Sequence, residues 1–226
     1  MTPITLAELA ATRPAASRVF RRHRLDFCCG GQRHLTEACA ERALDPDVIL
    51  REIDDETVCA DDPASMVDQP VDVIIPHILT RYHEPLRLEL PELIALATKV
   101  ERVHAEKEGC PRGLAAHLEL MHADVLSHLA KEEQVLFPMI LAGAGARTRG
   151  PITVMLHEHD DHGANLKKLR QLAFDFQAPE AACTTWRALY LRLDEFEGEL
   201  MDHIALENNV LFPKALNPSP PPAETP

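Results

Sequence analysis

The chain has 226 residues, enough for one large domain or for a small domain joined to a medium one. An apolar fraction of 46% is that of a globular protein, and aromatics at only 4% beside plentiful Ala, Leu and Glu favour helices over sheets. A formal charge of -13 excludes a general nucleic-acid binder, which gains its affinity from phosphate neutralisation, and no apolar run approaches the ~20 residues of a membrane span.

The first residues, Met1-Thr2-Pro3-Ile4-Thr5, have neither the basic nor the apolar segment of an export signal, so a cytoplasmic location is expected and the six cysteines are expected as free thiols. Residues 1–56 read as a small helical domain. Thr5 can cap its first helix, and Asp45-Pro46 opens a later one. Residues 57–70, with two prolines and three aspartates and no apolar period, read as a linker. Four longer helices are predicted at about 71–107 (bent near Pro76, Pro85 or Pro91), 111–142, 151–177 and 180–215. The expected fold is therefore all-α, an antiparallel four-helix bundle over residues 71–216 behind the small domain. Residues 217–226 (NPSPPPAETP) are expected to be a disordered tail.

An internal repeat carries the chemistry. His128-Leu-Ala-Lys-Glu132-Glu-Gln-Val-Leu-Phe-Pro138 recurs 75 residues later as His203-Ile-Ala-Leu-Glu207-Asn-Asn-Val-Leu-Phe-Pro213, and His83 upstream has its counterpart 76 residues later in His159. Residues i and i+4 of a helix lie about 40° apart around the axis and about 6 Å apart along it, so His128 and Glu132 share a face, as do His203 and Glu207. Apolar Val125, Leu129, Leu200 and Ile204 on those faces turn them inward. A buried carboxylate without a partner is costly, and a shared cation removes that cost. Imidazole and carboxylate suit iron or manganese, with zinc chemically admissible. His83, His128, His159 and His203 with Glu132 and Glu207 would give each of two irons two imidazoles and a share of both carboxylates, leaving positions open for an oxo bridge or a small ligand.

Glu158 and Asp160 can orient a ligating imidazole, His157 and His162 can line an entrance, and His104 is a candidate for an outer contact or an additional ligand. His77, His117 and His122 read as polar-face residues. A second unusual site is Asp26-Phe27-Cys28-Cys29-Gly30-Gly31. The stretch after it is predicted helical, which would place the two thiols near a helix N-terminus and favour the thiolate, a nucleophile, redox thiol or metal ligand. The plainer alternative is two small residues buried at a tight turn. Cys39, Cys59, Cys110 and Cys183 have no such setting.

With both features in view, the chain resembles the Repair of Iron Centres family, di-iron proteins that mend iron–sulfur clusters under nitrosative and oxidative stress. The resemblance rests on the Asp26-to-Gly31 motif, on Arg81-Tyr82-His83, Val100-Glu101-Arg102-Val103-His104 and Glu158-His159-Asp160, and on the two repeats. It implies a haemerythrin-like bundle with two iron ions, Glu132 and Glu207 bridging, and His83, His128, His159 and His203 as terminal ligands. It also implies redox thiols at Cys28 and Cys29, reaction with nitric oxide, iron release to apo or damaged iron–sulfur proteins, and a homodimer. Three activities follow as expectations: iron donation, reduction of nitric oxide to nitrous oxide, and a nitric oxide or oxygen sensor or carrier.

Overall fold

The computed structural model describes residues 4–13, 15–57 and 63–217. Most of the expected tail, and Val58 to Asp62 of the expected linker, lie outside the described residues, as does Cys59. Four short helices come first: α1 (Leu6–Thr12), α2 (Ala16–Arg22), α3 (Leu35–Ala40) and α4 (Pro46–Asp55). Thr5 caps α1 through a reciprocal box with Glu8, and Asp45 accepts the Asp47 N–H at 2.9 Å with Pro46 at the first position of α4.

The bundle follows. Its first rod is α5 (Val71–Ile78) and α6 (Glu84–Val103), joined by a π-turn over Leu79–His83. The second is α7 (Leu114–Lys131) and α8 (Phe137–Leu141), joined by a π-turn over Glu132–Leu136. The third is α9 (Arg149–Leu172). The fourth is α10 (Thr184–Leu206) and α11 (Phe212–Leu216), joined by a π-turn over Glu207–Leu211. The all-α bundle expected from the sequence is what forms, and no β-strand occurs among the described residues.

The three π-turns have one cause. Each ends two residues before a proline (Pro85, Pro138 or Pro213), which has no N–H to donate and whose ring would clash with the carbonyl four residues back. A single wide turn absorbs both problems without breaking the rod. Pro76 and Pro91, the other bends expected, sit inside α5 and α6. Each π-turn begins or ends on one of the repeat residues His83, Glu132 and Glu207, so these turns also aim the side chains inward.

Two apolar clusters lie on either side of those residues. One contains Ile74, Tyr82, Leu136, Phe137, Leu206 and Phe212. The other contains Val125, Leu129, Leu200, Ile204 and Trp186, and is continuous with Leu6, Phe20, Phe27 and Leu35 of the N-terminal segment. Residues 5–56 therefore share the core of the bundle they precede. None of the helices is long and apolar enough to cross a membrane, among the described residues.

Candidate metal centre

The six repeat residues meet between the two clusters. His83, Glu132, His159, His203 and Glu207 are sealed from solvent and His128 nearly so. Their ligand atoms form two groups, His83–Glu132–His203–Glu207 and His128–Glu132–His159–Glu207, within each of which all atoms lie within 4.8 Å of one another. Both glutamates belong to both groups. His83 Nε2 is 3.1 Å from His203 Nε2, and His159 Nε2 is 3.2 Å from His128 Nε2. Glu132 lies 3.4 Å from His83 and His128, and Glu207 lies 3.2 Å from His159 and His203.

Whether these residues fit a pair of cations is tested by the carboxylates themselves. All four oxygens of Glu132 and Glu207 are buried without a hydrogen-bond partner. An uncompensated buried polar atom costs on the order of 1–3 kcal/mol, and a folded protein does not collect four in one place without something for them to bind. Burial and the Glu207 carboxylate raise the proton affinity of Glu132 well above the usual carboxylate range. Burial works the same way on Glu207, but His203 and His159 outweigh it and hold that carboxyl low. Burial, with His203 beside it, lowers His83 to about 4, and burial with His159 lowers His128 further still. The imidazoles are thus kept neutral, the form that ligates a metal. The donor set fits.

Outer contacts orient three of the four imidazoles. His83 Nδ1–H donates to Glu133 at 2.8 Å, and Arg87 donates to the same carboxylate at 2.8 Å. His128 Nδ1–H donates to Glu158 at 2.9 Å, with Lys131 on the other oxygen. His159 Nδ1–H donates to Asn208 Oδ1 at 2.7 Å. His203 is held by stacking on Tyr82, with centroids 5.4 Å apart. Phe137 stacks on His83 and Phe212 on His159, at 5.6 and 5.8 Å. Glu158 takes the orienting role its place in the sequence suggests, whereas Asp160 is exposed on the outer face of α9. Glu133, Asn208, Phe137 and Phe212 are not among the residues singled out from the sequence, although the repeat offset carries a signal: Glu133 pairs with Asn208, and Phe137 with Phe212, each 75 residues apart.

The asymmetry between Glu133 and Asn208 has a structural reason. Asn208 accepts from His159 and also donates, through Nδ2, to the Cys28 carbonyl at 3.2 Å. A carboxylate cannot make that second bond. The Cys28–Cys29 loop thus docks on the centre of its own chain. Cys29 Sγ donates to the His159 carbonyl at 3.0 Å, and Cys28 Sγ lies 3.6 Å from Cys29 Sγ. Asn208→Leu is expected to lower metal affinity by about 10–100-fold, the usual cost of losing an orienting contact, with the six inner side chains intact. Metal titration of the purified variant reads this; unchanged affinity would remove Asn208 from the site.

Two expectations are corrected. The thiol pair is not at a helix N-terminus: α3 starts only at Leu35, and the Asp26 carboxylate accepts the N–H groups of Cys29 and Gly30 at 3.1 and 3.0 Å. The Cys29 thiol, burial and this carboxylate push Cys28 well above the usual thiol range, so the environment disfavours its thiolate. His104 is neither a ligand nor an outer contact. It ends α6, whose 20 residues carry it ~30 Å from His83, and its ring meets Cys183 and Trp186. Of the remaining histidines, His162 is buried with its ring 4.9 Å from His128, and His157 is exposed. His77, His117 and His122 are half-buried.

Residues 75–215 match the haemerythrin HHE cation-binding domain. Residues 4–57 match ScdA_N, a domain of unknown function. The iron–sulfur cluster repair protein YtfE of Cronobacter sakazakii is 51% identical over 213 residues, covering 93% of this chain and 95% of that one. Its namesake in Dickeya chrysanthemi is 48% identical over 212 residues, covering 94% and 96%, and one from Escherichia coli is 46% identical over 220 residues, covering 93% and 96%.

Proposed function

Because the chain belongs to the haemerythrin HHE cation-binding family and, with its ScdA_N segment, to the iron–sulfur cluster repair proteins, we propose that it repairs damaged clusters by donating iron from a pair held between its four histidines and two glutamates. The observation that carries this reading is the double membership of Glu132 and Glu207: each carboxylate belongs to both ligand groups. His83 with His203, and His128 with His159, would hold one iron each, and both glutamates would bridge. Bound iron would supply redox-active cations with open positions for a small ligand such as nitric oxide. The glutamates suit release as well as retention, because oxygen–metal contacts weaken when the carboxylate is protonated. A homodimeric state and a cytoplasmic site of action belong to the same proposal and rest on family resemblance.

The second reading is reduction of nitric oxide, favoured by the seating of Cys28 and Cys29 on the carbonyl of His159. Two nitric oxide molecules take up two electrons and two protons to give nitrous oxide and water. Two thiols oxidised to a disulfide supply that count.

One preparation separates the readings. Reduced, iron-loaded protein is mixed with an apo iron–sulfur protein, with and without nitric oxide, and both transferred iron and nitrous oxide are measured. Donation predicts that iron leaves for the apo-protein, including in the Cys28→Ser, Cys29→Ser double variant. Nitrous oxide formed in turnover and lost in that variant would establish the second reading. Iron retained in the presence of the apo-protein would sink the first. A stable gas adduct with neither outcome would identify a sensor or carrier.

A further inference from the structure

We propose that Cys183, at the N-cap of α10 and held against the His104 imidazole, is a reactive thiol that small hydroperoxides oxidise to the sulfenic acid. It lies at the opposite end of the bundle from the candidate metal centre and does not depend on it.

Three observations meet at this sulfur. Cys183 caps a helix of 23 residues, whose free N–H groups and dipole favour a negative charge there. His104 Nε2 is 3.2 Å from Cys183 Sγ. The imidazole itself is 7% exposed and stacked on the fully buried Trp186, with centroids 5.2 Å apart. Its Nδ1 is buried with no partner. A proton on Nδ1 would be an orphaned donor, so the proton belongs on Nε2, where it donates to the sulfur. The histidine is therefore set to bind the thiolate, with its plane fixed by the indole.

The loop before the cysteine is pinned rather than loose. Lys107 Nζ donates to the Ala181 carbonyl at 3.2 Å, and the Arg187 guanidinium donates to the Glu180 and Ala182 carbonyls at 2.7 and 3.2 Å. Cys183 is half-buried, open enough for a small oxidant. The acidity of the thiols agrees with this. The backbone N–H groups of Trp186 and Thr185 draw Cys183 below the usual thiol range, whereas burial raises Cys39 and Cys110, and Cys28 is raised as described above.

In the reaction the thiolate attacks the terminal oxygen of the hydroperoxide. A sulfur–oxygen bond forms and the oxygen–oxygen bond breaks. Sulfur loses two electrons, the peroxide gains them, and the leaving oxygen takes up the proton that the thiol released to water. The products are the sulfenic acid and water, or an alcohol from an organic peroxide. His104 acts as a positioning residue that donates a hydrogen bond and keeps its proton.

The test uses the full-length reduced protein and hydrogen peroxide. Sulfenic acid is trapped with dimedone and located by peptide mass spectrometry, and alkylation by iodoacetamide is followed at each cysteine as a function of pH. At pH 7 Cys183 is expected to react about tenfold faster than Cys39 or Cys110, because the thiolate is the attacking species. Its rate–pH profile is expected to begin rising at lower pH than that of an ordinary thiol. His104→Gln should slow Cys183 and move the profile to higher pH, a change that loss of packing alone would not produce. Cys183 reacting no faster than Cys39 and Cys110 overturns the proposal, as does an unmoved profile in folded His104→Gln. If that variant does not fold, His104→Asn and the wild-type profile decide by the same criteria.

Discussion

Glu132→Leu is expected to abolish paired metal binding and, in the same variant, to raise the melting temperature of the metal-free protein. The two effects have opposite signs because the side chain is a liability until a cation reaches it. Glu132 is fully buried, neither oxygen has a hydrogen-bond partner, and burial with Glu207 nearby drives it toward the protonated form. Replacing a buried polar or ionic group by an apolar one of similar size is commonly neutral or stabilising by about 1–4 kcal/mol. For a chain of this length each 1 kcal/mol moves the midpoint by about 2–4 °C, so a rise of several degrees is expected. In metal the order reverses. A cation present at about 100 times its dissociation constant stabilises the wild type by about 2.7 kcal/mol, and the variant gains nothing comparable. Calorimetry of both proteins with and without iron, alongside iron content per chain, measures all four quantities. Two irons retained by Glu132→Leu, or a metal-free midpoint several degrees lower, would contradict this account of the site.

The second large effect is expected at Gly163, far from Cys29 in sequence and in contact with it in space. A Cβ at position 163 would lie 2.8 Å from Cys29 Sγ and 3.4 Å from its Cβ. Glycine inside a helix ordinarily costs up to about 1 kcal/mol relative to alanine, so its presence in α9 needs a reason, and the docked thiol is that reason. Gly163→Val would overpack the contact by about 1–3 kcal/mol and lift the Cys28–Cys29 loop from the His159 carbonyl. Cys28, only 5% exposed in the docked state, should then alkylate at least about tenfold faster, since reactivity of a buried thiol is gated by opening of the segment that covers it. Gly150→Ala is the control, because nothing lies within 4 Å of its added Cβ and it should stabilise by about 1 kcal/mol or less. Equal Cys28 labelling in Gly163→Val and wild type would show that the loop is held by something else.

Much of the site is legible in the sequence. The i, i+4 spacing of His128 with Glu132 and of His203 with Glu207 is set by helix geometry, and the 75-residue recurrence brings in a second copy of the same local rule. The structure brings all six residues into two groups. Pro85 is legible as a bend but not as the cause of a π-turn, because the choice between a kink and one wide turn depends on what the turned-in side chains meet. His104 shows the limit of proximity in sequence: it stands in a motif on the ligand-bearing rod, yet the rise of α6 carries it to the far pole.

What the residues alone determined is the all-helical fold, the pairing of histidine with glutamate on inward faces, and the internal repeat. All three follow from short-range periodicity. Only the tertiary structure decided where the thiol pair would sit. Cys29 meets the His159 carbonyl across 130 residues, at a point where Gly163 leaves room and Asn208 offers both a donor and an acceptor. No periodicity encodes such a contact. It arises from packing N-terminal residues such as Phe27 and Leu35 into the core of the bundle, and that packing placed two thiols against the back of a metal-facing histidine.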